Sequence, residues 1–224
     1  MAPTTTKSPP AVYYPDSDGQ PMADNTLQFE WIVTLQGNLD LMFRDRSDVF
    51  VAGDHLIYPI EGNADVRQAP DVYVAFDRPK GHRGSYKVFA EENVFPQVVF
   101  EVWSPSNTAE RMEEKRLFYE RYGAEEYYIL YPDFPAYAQG WVREAGALVR
   151  VTNMNGFVSP RLRIRFEVLR GNIAVFRHDG SSFLSFVELG SLQQKTAESL
   201  THERQRAERL AARLRELGID PDAV

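Results

Sequence analysis

The sequence predicts an α/β protein, and three segments support this fold class. The run at residues 98–103, VVFEVW, is apolar on both faces apart from Glu101, which is typical of a strand covered by helices on both sides. A helical segment (104–123) and a further strand (126–132) follow it, and this order favours a βαβ crossover. Residues 192–217, rich in Ala, Glu, Arg and Gln, predict a C-terminal helix.

The composition of the chain excludes several classes of protein. The chain has 224 residues, a net charge of -7 and no cysteine. The missing cysteines exclude a disulfide scaffold, a thiolate zinc site and a cysteine nucleophile. No apolar run approaches the roughly 18 residues of a membrane helix, and the N-terminus lacks the apolar core of a signal peptide, so we expect a cytoplasmic protein without a membrane partner. The net charge argues against DNA binding over the whole surface but leaves room for a local basic patch.

The first half of the chain divides into an arm, a helix and several strands. Residues 1–24 are rich in Pro, Thr, Ser and Asp and predict an irregular N-terminal arm. Asn25 and Thr26 can cap a helix over 27–43, where apolar residues recur at helical spacing. Residues 49–60 predict two short strands that turn at Gly53 and Asp54. Residues 71–76 predict a strand, and 78–87 predict a polar loop.

The second half continues the α/β pattern. Ser106 or Thr108 can cap the helix over 104–123, and Gly123 can close it. Short strands within 137–189 would extend the sheet or cover its edge. We therefore predict an arm (1–24), one α/β domain (25–190) and a C-terminal helix (191–224) that can form a coiled coil. The apolar stripe of this helix comprises Ala207, Leu210, Leu214 and Leu217.

Three charged residues stand out from their surroundings and predict a catalytic site. Asp71 starts a strand, Glu101 interrupts an apolar strand, and Lys115 lies in the middle of the next helix. A carboxylate buried in a strand costs several kcal/mol unless it is paired or binds a cation. Mg²⁺ prefers one or two carboxylates and bridges to substrate phosphate, and a nearby lysine can stabilise charge on a phosphate oxygen. The set therefore suits hydrolysis of a phosphodiester bond.

Each residue taken alone has an ordinary structural explanation. Asp71 after Pro70 fits a simple turn or strand start, Glu101 could face solvent on an edge strand, and Lys115 could be a solvated helix charge. The prediction therefore depends on the three residues together. The four histidines show no metal-binding spacing, and the chain contains no phosphate-binding loop or nucleophile elbow.

Several longer runs resemble one protein family. They are APDVYVAF (69–76), VVFEVWSPSNT (98–108), EEKRLFYERYGAEEYYILYP (113–132) and RLAARLRELGIDPD (209–222). They are similar to the Uma2 family, which is placed in the PD-(D/E)xK, or restriction-endonuclease-like, superfamily. The resemblance covers the chain from about residue 10. It implies a mixed central β-sheet flanked by helices and a magnesium-dependent endonuclease that acts on DNA.

The resemblance also implies roles for particular residues. Asp71 and Glu101 would hold Mg²⁺ or Mn²⁺ with the backbone carbonyl of Val102, and Lys115 would complete the catalytic set. The sequence departs from the simple superfamily motif, in which a lysine stands two residues after the acid, because Trp103 occupies that position. Lys115 on the following helix matches the relocated lysine of Uma2-like sequences. Glu30 is the nearest match to a glutamate that many superfamily nucleases carry on the first helix.

Two alternatives concern binding rather than catalysis. Basic residues that could guide a phosphate backbone occur in the 78–87 loop and in an alternating run that would share one face of a strand, and each group could equally be solvated. The chain could also be a catalytically silent module that keeps the nuclease scaffold and forms a homodimer through its C-terminal helix. The basic residues are Arg78, Lys80, His82, Arg83 and Lys87 in the loop, and Arg161, Arg163 and Arg165 in the run.

Overall fold

The structure is a computed structural model that describes residues 12–19, 21–218 and 220–221. It contains two compact units, residues 1–183 and 184–224. The helices are α1 (Thr26–Met42), α2 (Ala109–Tyr122) and α3 (Phe186–Glu216). The strands are β1 (Val49–Gly53), β2 (Ile57–Tyr58), β3 (Val72–Phe76), β4 (Tyr86–Lys87), β5 (Val98–Val102), β6 (Glu126–Tyr131), β7 (Tyr137–Glu144), β8 (Ala147–Arg150), β9 (Arg165–Leu169) and β10 (Asn172–Phe176).

A mixed six-stranded sheet forms the centre of the first unit. Its strand order is β1-β3-β5-β6-β7-β8. Strands β5 and β6 are parallel and are connected through α2, whereas the other neighbouring pairs are antiparallel. A mixed sheet flanked by helices, with a long helix at the C-terminus, is therefore confirmed.

The two faces of this sheet pack against different helices. Ile32, Leu35 and Leu39 of α1 are buried in the core on one face, whereas Met112 and Tyr119 of α2 are buried in the core on the other. Side chains alternate between faces along a strand. Val98, Phe100 and Val102 of β5 therefore belong to the α1 side, and Glu101 lies on the α2 side between Val99 and Trp103.

Local capping sets the ends of both flanking helices. The Asn25 side chain accepts a hydrogen bond from the N–H of Gln28, and the Thr108 side chain accepts one from the N–H of Arg111. Gly123 ends α2 with a φ of 113°, which a residue with a side chain adopts only with strain. Of the two caps predicted for α2, Thr108 is the one observed. The predicted helix at 27–43 is also present, from Thr26 to Met42.

The two short strands predicted to turn at Gly53 and Asp54 are present, and they pair with other strands, β1 with β3 and β2 with β4. Two other local predictions were wrong in part. Strands β9 and β10 form a separate antiparallel pair instead of extending the central sheet. Arg161 and Arg163 precede β9, and Arg163 has a φ of 59°, so the three alternating arginines do not share a strand face.

The second unit is dominated by α3. Ser185 and Glu188 form a reciprocal capping box at its start, so the helix begins six residues earlier than the predicted residue 192. The predicted domain boundary after residue 190 lies within this helix. Over the residues that the structure describes, no helix combines the length and apolar character needed to cross a membrane.

Candidate active site

Asp71 is held by hydrogen bonds to two neighbouring strands. It lies directly before β3, and its Oδ2 accepts a hydrogen bond of 2.6 Å from the N–H of Val102 at the end of β5. Its carbonyl oxygen accepts one of 3.1 Å from the N–H of Asp54, just after β1. A side chain at Gly53 would place its Cβ 2.9 Å from that carbonyl, so glycine allows the close approach. Strand pairing thus directs the Asp71 carboxyl toward the end of β5.

Glu101 is fully buried and receives two hydrogen bonds from α2. The Lys115 ammonium lies 2.7 Å from its Oε2, and the Tyr119 hydroxyl lies 2.7 Å from its Oε1. Residues four apart share one face of a helix, so Lys115 and Tyr119 reach the same carboxylate. Glu101 therefore has a charged partner and a neutral donor, which offset the cost of burying it.

The charges around the carboxyl groups of Asp71 and Glu101 are predominantly negative. Burial, and after it the nearby charge of Glu101, raise the pKa of Asp71 to about 8 against the opposing effects of Lys115 and the Val102 N–H. Burial also raises the pKa of Tyr119 well above its usual value, so its hydroxyl remains a proton donor at neutral pH. A single ammonium faces two carboxyl groups. A second positive charge would stabilise Asp71 in its ionised form.

The three predicted residues converge on one cavity of about 300 Å³. Asp71, Glu101 and Lys115 all line it, together with polar residues from the arm, α1 and the start of α2. Asp54 also lines this cavity, and burial is the main cause that raises its pKa. The structure thus brings together the three residues that the sequence singled out, although Asp71 and Lys115 are 44 positions apart in the chain.

Gln28 is a part of this site that the sequence did not suggest. Its Nε2 donates a hydrogen bond of 3.1 Å to the carbonyl oxygen of Val102, and its Oε1 accepts one of 2.8 Å from the N–H of Asp24. Glu30, the residue considered for this role, is exposed and does not line the cavity. The two residues lie on different sides of α1. The sequence carries no local signal for Gln28, because only the packing of α1 on the sheet shows that this position faces inward.

The donor atoms at the site fit a hard divalent cation. No set of three or more His, Cys, Asp or Glu side chains within the described ranges is arranged to hold a metal. Two carboxylates, from Asp71 and Glu101, with one backbone carbonyl match the preference of Mg²⁺ for few protein ligands and several waters. The Val102 carbonyl keeps a second lone pair beside its bond to Gln28. The residues present therefore fit the predicted cation.

The basic groups expected to guide a phosphate backbone are mostly engaged in ion pairs. Arg78 pairs with Glu92, Lys80 with Asp40, and Arg83 with Glu91. Similarly, Arg161 pairs with Glu125, and Arg165 pairs with Glu167. None of these basic residues lines the cavity described above. A role in holding DNA is therefore not supported by their placement.

Comparisons with known proteins extend this description. The model of the Uma2 family, described as "Putative restriction endonuclease", matches residues 12–142, which include the whole candidate site but not the run at 209–222. A crystal structure from Anabaena variabilis ATCC 29413, described as "a putative nuclease belonging to DUF820", is similar at 12% sequence identity and a TM-score of 0.44. The similarity covers 61% of this chain and 72% of that one. The search of curated proteins found no match.

Proposed function

Since the chain belongs to the Uma2 family, we propose that it is a metal-dependent endonuclease that hydrolyses phosphodiester bonds in DNA. Family membership supports a nuclease in general terms, and the dependence on Mg²⁺ or Mn²⁺ and the DNA substrate are our proposals. A cytoplasmic location also stays a prediction from the sequence.

One observation carries this proposal. Asp71, Glu101 and Lys115 come from three separate elements and line a single cavity. The Lys115 ammonium is 2.7 Å from Glu101, and the charges of Glu101 and Lys115 both act on the Asp71 carboxyl. Two acids and one amine that interact this strongly form one electrostatic unit. Such units are more frequent at catalytic sites than elsewhere in proteins.

The proposed mechanism assigns a task to each residue. Asp71, Glu101 and the Val102 carbonyl would hold the cation. When bound, Mg²⁺ or Mn²⁺ supplies Lewis acidity to the phosphate and to an attacking water. Lys115 offers its ammonium to the negative charge that develops on the phosphate oxygens. Tyr119 fixes the orientation of Glu101 through its hydrogen bond, so it acts as a positioning residue.

Cleavage of supercoiled plasmid DNA and of single-stranded circular DNA tests the proposal. We expect the wild-type protein to cleave at least one of them with Mg²⁺ or Mn²⁺ and neither with EDTA. Asp71→Ala and Lys115→Ala should each abolish it, because they remove a cation ligand or the stabilising charge. The matched controls are Asp65→Ala and Lys195→Ala, at exposed positions.

Circular dichroism must show that every variant is folded. Equal cleavage by the wild type, Asp71→Ala and Lys115→Ala would refute the assignment of the site. Cleavage that persists in EDTA would refute the dependence on a metal.

A second function, pairing of two copies through α3, has its own support. The helix has 31 residues, and none of those described in it is buried. Leu200, Leu210 and Leu217 are more than half exposed. Together with Ala207 and Leu214, these leucines form a stripe at positions 200, 207, 210, 214 and 217. The steps of seven, three, four and three residues are those of the seam of a coiled coil. We propose that a second copy of the chain covers this stripe, and a catalytically silent homodimeric module is the alternative to the nuclease.

Molar mass in solution tests this pairing. Light scattering should give a dimer for the wild type and a monomer for Leu210→Glu, since a charge on the seam must be desolvated on pairing. Gln205→Glu introduces the same charge at an exposed position off the stripe and should leave the dimer intact. A monomeric wild-type protein would contradict the proposal. A dimer without metal binding or cleavage would favour the silent module.

A further inference from the structure

A column of aromatic rings crosses three neighbouring strands near the candidate site. Trp103, which follows β5, stacks on Tyr131 of β6 with ring centres 5.0 Å apart and 28° between the ring planes. Tyr131 stacks in turn on Tyr137 of β7, with ring centres 4.0 Å apart and 9° between the planes. The rings are therefore stacked face to face, with Tyr131 in the middle, so an end ring such as the exposed Tyr137 is the one that can stack on a further planar group.

This column borders a groove of about 570 Å³, which we call the aromatic groove. Its lining includes Trp103, Met112, Tyr131, Tyr137, Gln139 and Trp141. Tyr137 is 45% exposed, and Trp103, Tyr131 and Trp141 are partly exposed. Aromatic rings that are fully used in a core would be covered on both faces. The remaining accessible ring surface can stack with a planar ligand.

The aromatic groove lies next to the cavity that holds Asp71 and Glu101. Trp103 follows the end of β5 two residues after Glu101, which corresponds to about 7 Å of extended chain. Helix α2 borders both depressions, because Arg111 lines the cavity and Ala109 and Met112 line the groove. A nucleic acid strand whose phosphate is bound at the cavity can therefore place a neighbouring nucleotide in the groove.

The charges of the groove favour a base over a phosphate. Among its described lining residues, Arg116 is the single cation, and it already pairs with Glu113 and Glu120. Glu113 and Asp133 contribute negative charge to the lining. The described lining residues thus give a phosphate backbone no unpaired cation, whereas the exposed ring of Tyr137 is available and every nucleobase has a π-face that can stack on it. Bases within a duplex are already stacked and are not available for this contact.

We propose that the aromatic groove binds an unpaired nucleobase beside the phosphate at the candidate metal site. The preferred substrate is then single-stranded or locally opened DNA. This inference rests on the proposed function, whose substrate class it defines. It also supplies affinity beyond that for the phosphate, since the basic groups predicted to hold a phosphate backbone are mostly engaged in ion pairs.

Binding measured without cleavage tests the proposal. Fluorescence anisotropy in EDTA would compare a labelled thymidine oligonucleotide, an abasic oligonucleotide with the same number of phosphates, and a duplex. The variant Tyr137→Ala removes an exposed ring from the column. Tyr137→Phe keeps the ring and serves as the matched control, and Tyr13→Ala removes an exposed ring that is not part of the groove.

We expect the wild type to bind the thymidine strand more tightly than the abasic strand or the duplex. Tyr137→Ala should weaken binding of the thymidine strand roughly 5- to 100-fold, the effect typical of losing one base–aromatic stack. It should not change binding of the abasic strand. Tyr137→Phe and Tyr13→Ala should bind like the wild type.

Two results would overturn the proposal: equal binding of thymidine and abasic strands by the wild type, or unchanged binding by a folded Tyr137→Ala. If that variant fails to fold, quenching of tryptophan emission decides in a Trp31→Phe background, where Trp103 and Trp141 are the remaining indoles. A base stacked in the groove changes their emission, and an abasic strand does not. If the binding tests show no role for the base but metal-dependent DNA cleavage is observed, the proposed function stands and the groove proposal is refuted. Base-dependent binding without any metal-dependent cleavage would instead refute the nuclease and retain the groove.

Discussion

The raised pKa of Asp71 leads to a prediction about stability in the absence of metal. A pKa of about 8 in the folded protein, compared with the usual 3.8, means that the folded chain holds a proton that the unfolded chain releases. Between these two values the stability of the folded protein must therefore fall as the pH rises. Asp71→Asn keeps an acceptor for the Val102 N–H but has no proton to release. The variant should escape this loss of stability.

The size of the effect follows from the difference in pKa. Each unit corresponds to about 1.4 kcal/mol, so a difference of about four units sets an upper bound of roughly 6 kcal/mol. The Asp71 side chain borders a cavity that water can enter, so we expect roughly 3–5 kcal/mol. The advantage of Asp71→Asn over the wild type should be small near pH 4, grow by up to about 1.4 kcal/mol per pH unit, and level off above pH 8.

Urea unfolding in EDTA from pH 4 to pH 9 measures this difference. Asp65→Asn, at an exposed position, is the matched control and should follow the wild type at every pH. A pH-independent difference between Asp71→Asn and the wild type would refute the reasoning. So would an advantage of the variant that shrinks as the pH rises. Added Mg²⁺ should stabilise the wild type at pH 8 and leave Asp71→Asn unchanged, because binding to the folded state alone raises its stability.

Two further substitutions test the support of the site and the packing of the sheet. Tyr119→Phe removes the hydroxyl that donates a hydrogen bond to Glu101, so we expect a loss of about 1–3 kcal/mol of stability and a lower kcat with little change in KM. The control Tyr122→Phe should preserve both the stability and the kcat. Equal kinetics for the two variants would contradict the positioning role. Glu126→Ala should destabilise the protein by about 2–4 kcal/mol in thermal or urea unfolding, since the buried Glu126 carboxylate accepts hydrogen bonds from Tyr128 and Ser159. A loss below about 0.5 kcal/mol would show that these bonds contribute little.

The sequence predicted the fold around β5 and α2 because several local signals agreed there. An apolar strand interrupted by Glu101, a helix capped by Thr108 and closed by Gly123, and a second apolar strand each have a distinct pattern. The residues of the site followed from the same signals, since a carboxylate such as Glu101 is rare in a buried strand. The convergence of Asp71 with Lys115 needed the strand order, which local patterns do not contain.

Other features of the structure were not predicted from the sequence, because they depend on contacts between distant segments of the chain. Gln28 reaches Val102 across 74 positions, and only the rotation of α1 on the sheet directs Gln28 inward and leaves Glu30 exposed. The basic loop residues appeared suited to phosphate, but their partners, such as Asp40 for Lys80, come from elsewhere in the chain. The separate pair of β9 and β10 likewise results from tertiary packing, because a short strand has no local signal for the sheet that it joins.

Titration calorimetry of the full chain with Mg²⁺ and Mn²⁺ at pH 8 is the most direct measurement. With Asp71 and Glu101 as ligands, the wild type should bind one cation per chain and release protons, and both Asp71→Asn and Glu101→Gln should lose this binding while Asp65→Asn retains it. Absence of binding at millimolar metal, or binding that both site variants retain, would contradict the claim that these two acids form a cation site.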